Sequence, residues 1–209
     1  MGVEELAIAR RSLHAVAELV LAGPQYRATG KLRLRVIPGG FATTTASPEL
    51  RVVGVGVVGA GEAAVPIDGH TARAIGAELG VAAGRPEGAY DDGAGVDPGE
   101  TLTLDPDQAD VILGGLARGH DALVALAPQQ TPILWPEHFD VAIRVDDVNF
   151  GVSPGDGFIG QPYAYVGVSQ PPPGDPFWNA PFGAAVPLAE LPDEAAVTAF
   201  FAEGRARGQ

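Results

Sequence analysis

What most limits the folds open to this 209-residue chain is that it resembles itself. The segment "HAVAELVLAGPQ" from His14 reads against "HDALVALAPQ" from His120, and "RVIPGGFATT" (35–44) reads against "RVDDVNFGVS" (144–153). Further on, "AAVPI" (63–67) matches "AAVPL" (184–188), and a helical pattern follows each. Three matches in the same order read as a tandem duplication. The expected organisation is a first repeat at 1–83, a linker rich in Gly, Pro and Asp at 84–105, and a second repeat at 106–209, all in one compact unit. A pseudo-twofold would then place His14 over His120 and Arg35 over Arg144.

Each half reads helix, strands, helix. In the first helix Leu6, Ala9, Leu13, Val16, Ala17 and Val20 fall on one stripe at the 3.6-residue period. The matching helix opens at "LDPDQAD", where Asp105 can cap, Pro106 suits the first helical position and Gln108 completes a capping-box-like pattern. Its apolar stripe is Ile112, Leu116 and Leu123. Strands are predicted at "KLRLRVI", "GFATTTA", "ELRVVGVGVV" and "AAVPI", then at "FDVAIRV", "VNFGVS", "PYAYVGV" and "AAVPL". Short strands joined by tight turns favour antiparallel pairing with the helices on one face, an α+β protein. The run "GVGVVG" (54–59) has the spacing of a dinucleotide fingerprint, but it lies inside a strand run and Pro66 arrives before any helix. It is not a nucleotide site.

Strand alternation assigns the faces. In "KLRLRV", Leu32, Leu34 and Val36 share one face, and Lys31, Arg33 and Arg35 the other. In "ILWPEHFDVAIRVDD" (133–147), Phe139, Val141, Ile143 and Val145 share the core face, which extends back to Trp135. His138, Asp140, Ala142 and Arg144 form the wet face. Glu137 would fall on the core side, unless Pro136 ends the strand and leaves it at a solvated edge. The edge reading is preferred.

The same stretch supplies the candidate catalytic residues. His138 and Asp140 stand at i and i+2, a spacing at which the carboxylate can orient the imidazole, and Glu137 beside aromatics suits acid–base work. His-x-Asp is also half of a facial metal triad, but His14, His70 and His120 all precede it and no metal site is assigned. A serine-hydrolase elbow is missing from the sequence. Aromatics crowd the second repeat. Trp135, Tyr163, Tyr165 and Trp178, with Asn149 as a polar contact, are the candidate ligand wall. Lys31, Arg33 and Arg35 can hold a carboxylate or phosphate, or neutralise local acids. No cofactor is specified.

Composition narrows the partners. Twenty-six acidic residues against thirteen basic give a net charge of −13, which repels phosphate backbones and anionic lipid. Neither a nucleic acid nor a membrane is expected. With no cysteine, disulfides, thiolate catalysis and cysteine-bound metals are excluded. The first apolar segment is broken by Glu4, Glu5, Arg10, Arg11 and Glu18, unlike a signal peptide, so a cytoplasmic protein is the default.

With Leu13-His14, Gly30-Lys31-Leu32-Arg33-Leu34, Thr131-Pro132, Trp135, Phe139-Asp140-Val141-Ala142 and Pro162-Tyr163-Ala164-Tyr165 in view, the chain resembles a bacterial family known only as a domain of unknown function. The resemblance implies a shared fold over most of the chain and no reaction, cofactor or catalytic set. The functional expectation is therefore a small-molecule-binding protein, extending to an enzyme acting on that molecule. Its site would lie in the second repeat or between repeats, in a monomer or a homo-oligomer. The alternative is a non-catalytic interaction module that presents a sheet face to a protein partner.

Overall fold

The computed structural model describes residues 2–61, 63–171 and 173–208. Helix α1 (Val3–Ala15) runs without a break into a π-helical stretch, Val16–Ala22, and on into α2 (Gly23–Thr29). The predicted stripe from Leu6 to Val20 is buried throughout. Five strands follow: β1 (Leu34–Ile37), β2 (Gly40–Thr43), β3 (Arg51–Val53), β4 (Gly56–Val58) and β5 (Ala64–Pro66). Helix α3 (Ala72–Glu78) closes this half, and α4 (Pro106–Leu126) opens the next. Asp105 caps α4 by accepting the Gln108 N–H at 3.0 Å. Then come β6 (Ile133–Trp135), β7 (Asp140–Val145), β8 (Val148–Ser153), β9 (Tyr163–Gly167) and β10 (Gly183–Pro187), and last α5 (Glu194–Arg207).

All ten strands form one antiparallel sheet in the order β10-β9-β8-β7-β6-β1-β2-β3-β4-β5. Each half is thus a five-strand meander, and the two join where Leu34 of β1 faces Leu134 of β6. The long segment "ELRVVGVGVV" is a hairpin rather than one strand, because Gly54 takes φ 55 and turns the chain. Strand β6 is separate from β7 because the four-residue turn Pro136–Phe139 divides what reads as one continuous apolar run.

The matched hairpins do not occupy equivalent places. Arg35 lies on β1, at the centre of the sheet, whereas Arg144 lies on β7, one strand further out. What those segments share is turn chemistry. Gly39 takes φ 71 after Pro38, and Asp146 and Asp147 take φ 51 and φ 63, so each is a two-residue hairpin loop that needs left-handed backbone. The two "AAVP" segments do correspond in position, since both form the outermost strands.

The helices lie on one face. Leu34, Phe41, Val52, Val57, Leu134, Val141, Phe150, Val152 and Val166 form a single buried cluster with Leu13, Leu19, Ile112, Leu116, Leu123 and Phe201 of the helices. Two glycines set the closest approach. A Cβ on Gly119 of α4 would stand 2.6 Å from Val152 Cβ, and one on Gly204 of α5 would stand 2.6 Å from Val166 Cγ2. Residues 84–105, read as a linker, run across the first helix. Ser12 Oγ donates to Thr103 O at 2.7 Å, Arg11 pairs with Glu100, and Val96, Leu102 and Leu104 are buried.

Both sheet edges are blunted. Pro66 and Pro187 sit on the outermost strands, where they donate no N–H. On β10 the Asn179 side chain also takes the place of a neighbouring strand, accepting from Ala185 N at 2.9 Å and donating to Ala185 O at 3.0 Å. Among the described residues no helix is long and apolar enough to cross a membrane.

Two alanine substitutions on α4 should therefore act in opposite directions. Gly114 has open space at its Cβ position, so Gly114→Ala should stabilise by up to about 1 kcal/mol through helix propensity. Gly119→Ala should destabilise by roughly 1–2 kcal/mol net, since overpacking outweighs the same propensity gain. Urea denaturation of the two variants checks the pair.

Candidate functional site

The β6–β7 turn gathers most of the chemistry. Pro136 ends β6, and Phe139 takes φ 55, donating its N–H to Trp135 O at 2.8 Å. A bulky side chain in left-handed backbone is strained, and packing holds it there. Its ring is 1 % exposed, stacks on His14 at 5.4 Å and meets Phe41 edge-on at 5.5 Å. The turn makes Asp140 the first residue of β7, directly opposite Trp135.

This register corrects the expected faces. Alternation does not run through the turn, so Trp135 shares the helix-free face with Asp140 instead of joining the core. Asp140 is not solvated either. Its residue is 7 % exposed, and Ile159, Ala180 and Phe182 from the loops flanking β9 pack with Tyr163 and Tyr165 over this half of the face. Tyr165 Oη donates to Asp140 Oδ2, while Oδ1 is buried without a partner. Burial pushes the Asp140 carboxyl above its usual range, against the pull of the Tyr165 hydrogen bond and of His138. Burial likewise raises the Tyr165 hydroxyl, and Asp140 adds to that shift. The Tyr165 ring lies on its cross-strand partner Gly151, where a Cβ would come within 2.5 Å of it. Only glycine leaves room.

Tyr163 extends the network, donating to Asp156 Oδ2 at 2.5 Å. Asp156 organises its own loop by accepting the N–H groups of Phe158 and Ile159 at 2.7 and 3.0 Å. Phe182 closes over Tyr165 with ring centres 6.3 Å apart. Arg33 places its guanidinium 6.0 Å from the Trp135 ring centre. Trp135, Asp140, Tyr163, Tyr165 and Arg33 are thus brought together.

The other expected residues are not. His138 is exposed on the turn, 3.9 Å from Glu137, so it is not oriented by Asp140, which is engaged by Tyr165. Glu137 is half-exposed on the same turn, in keeping with the solvated-edge reading. Asn149 sits at the far end of β8, exposed beside Arg144 and Gly167. Trp178 packs on Phe177 at 4.9 Å and against the helix-side core. Arg35 is on the helix-free face one residue pair further along β1, donating to Thr43 O at 3.2 Å, and Lys31 is exposed ahead of that strand.

A second polar group, which the alternation did not reveal, lies behind the same turn. Glu18 in the π-helical stretch is 1 % exposed, pairs with Arg85 Nε at 3.1 Å and accepts the Ala94 N–H at 2.9 Å. Tyr90 stands close by, its hydroxyl raised by burial and by Glu18. His14, which packs on Phe139, shares a hydrogen bond of 2.7 Å with Pro136 O, and burial lowers its pKa. A glutamate inside the apolar run "VAELVLAG" was the signal available for this group.

Two hollows lie elsewhere on the surface. One, about 460 Å³, is bounded by Gly114, Gly115 and Arg118 of α4 and by Pro162, Leu188 and Leu191. The other, about 140 Å³, lies beside Asp146, Asp147 and Val168. Among the described residues no group of three histidines or carboxylates is placed to hold a metal. No family model, curated protein or solved structure matches the chain.

Two outcomes follow. Phe139→Ala should cost about 3–5 kcal/mol, and His138→Ala close to none, in chemical denaturation. Folded Asp140 binds its proton at higher pH than unfolded, so its contribution is complete at acid pH and is lost as pH rises through the raised value. The stability of Asp140→Asn relative to the wild type should therefore improve as pH is raised from about 4, the unfolded value, towards neutrality. A difference that does not change over that range would show Asp140 to be unperturbed.

Proposed function

We propose that this protein is a non-catalytic interaction module, whose helix-free sheet face over β1–β4 and β6 docks a protein partner. One observation carries the reading. The helices cover one face and prolines blunt both edges, and among the described residues the helix-free face over β1–β4 and β6 presents exposed Arg33, Arg35, Arg51 and Val53 beside Trp135. Val53 is 47 % exposed there. A flat surface mixing aromatic, aliphatic and arginine side chains suits a protein contact better than a small ligand, which needs concavity. The repeated helix–meander–helix order is what a tandem duplication would leave, one copy keeping its open face and the other covering it.

A small-molecule site at Asp140 is the second reading, favoured by the unpartnered buried Oδ1 beside the tyrosines. Photo-crosslinking in cells separates the two. A benzophenone side chain in place of Val53 should give discrete protein adducts, while one in place of Val124, 38 % exposed on α4, should give none. Adducts missing at both positions, together with a metabolite retained in native mass spectra and lost in Asp140→Asn, would replace the first reading with the second.

A further inference from the structure

We infer that the occupant of this face is an extended, acidic segment of a partner protein, held by Lys31, Arg33, Arg35 and Arg51 beside Trp135. The inference rests on the docking reading above and names its chemistry. The chain carries twice as many acidic as basic residues, 26 against 13, yet among the described residues five of those cations, Arg11, Arg85, Arg144, Arg205 and Arg207, pair with a carboxylate. Arg27 and Arg118 are held instead by backbone carbonyls, of Ala82, Gly84 and Arg85 and of Leu188 and Leu191. Among the described residues no ion pair forms at Lys31, Arg33, Arg35 or Arg51, although all four are exposed. Arg144, on the same face further out, is paired with Asp147, so the face as a whole does not exclude acids.

Spacing argues for an extended ligand. Arg33 and Arg35 alternate along one chain, so they recur about every 7 Å, the interval at which an extended peptide presents every second side chain. Arg51 lies opposite Ala42, which lies opposite Arg35, two strands and roughly 10 Å across. A segment with an acid at alternate positions can therefore meet Arg33 and Arg35 in register while Arg51 contacts its far side. Ala42 between the arginines is 1 % exposed and adds no bulk. Trp135 supports the Arg33 guanidinium and offers an apolar wall to the residues between the acids. A nucleic acid would bring phosphates against a net charge of −13, and four cations are few to offset it. Guanidinium groups pair bidentately with carboxylates and phosphates alike, so what favours the peptide is its lower charge density, with neutral residues between the acids.

The test uses the full chain and a labelled peptide of about ten residues alternating Glu and Thr, read by fluorescence anisotropy. Binding should weaken as salt is raised from about 0.05 to 0.5 M, since these groups are exposed and screened. The double variant R35Q/R51Q should bind about tenfold more weakly or worse, with its thermal melt unchanged. A Lys-Thr peptide, drawn only by the net charge of −13, should bind R35Q/R51Q no more weakly than the wild type. Equal binding by wild type and R35Q/R51Q, or tighter binding of a single-stranded oligonucleotide than of the acidic peptide, would overturn the proposal. Adducts at position 53 without peptide binding would remove the acidic occupant alone. Absence of both would remove the docking reading with it.

Discussion

A ten-stranded sheet with every helix on one side has a second face of equal area that must be reconciled with water. Backbone hydrogen bonds are satisfied within the sheet, so the question concerns side chains alone. The two halves resolve it differently. Over β1–β4 the face is dressed with arginines and small residues and stays open. Over β7–β10 two loops fold across it, and Tyr163, Tyr165, Ala180, Ala185 and Phe182 fill the space beneath. Covering a face that already carries an aspartate has a consequence. Asp140 is taken out of water, which disfavours its charged form, and one tyrosine hydroxyl offsets only part of that.

The strain at the β6–β7 turn follows from the helix side. A left-handed, non-glycine residue costs on the order of 1–3 kcal/mol. Burying a phenylalanine ring returns about 1.5–3 kcal/mol, and its contacts with His14 and Phe41 add to that, so packing wins. The π-helical stretch beside it belongs to the same arrangement. It carries Glu18 inside, where the charge is met by Arg85 and a backbone N–H from the segment that joins the halves. That segment therefore contributes to the interior through Val96, Leu102 and Leu104, and at Gly93 a Cβ would stand 2.3 Å from Glu18 Oε1, so glycine is what lets the chain approach.

The sequence made the helix stripes, the Asp105 cap, the antiparallel α+β class and the core face of β1 and β7 legible, because each depends on local periodicity. Leu34, Val141 and Ile143 are buried as alternation requires. Alternation failed where it was carried through Pro136 and Phe139, since a turn resets the face and Trp135 emerged on the opposite side. The burial of Asp140 was hidden for a different reason. It depends on loops some twenty to forty residues away, and no local pattern records what folds over a strand. The hairpin match between 35–44 and 144–153 misled because turns restrict residue choice, so unrelated hairpins come to look alike.

These pieces meet at Trp135. On one side its ring lies near the Arg33 guanidinium, and on the other its strand partner is Asp140. Asp140 thus borders the arginine strip within the sheet, and Tyr165 engages one of its oxygens while the other is buried without a partner. An ion pair to Arg33 would require the carboxylate to ionise in a dry site and the guanidinium to leave the Trp135 ring. The covered half therefore keeps its acid away from the open half. Trp135 thus marks the border between a covered half whose acid is sealed by Tyr165 and an open half where Arg33, Arg35 and Arg51 are exposed.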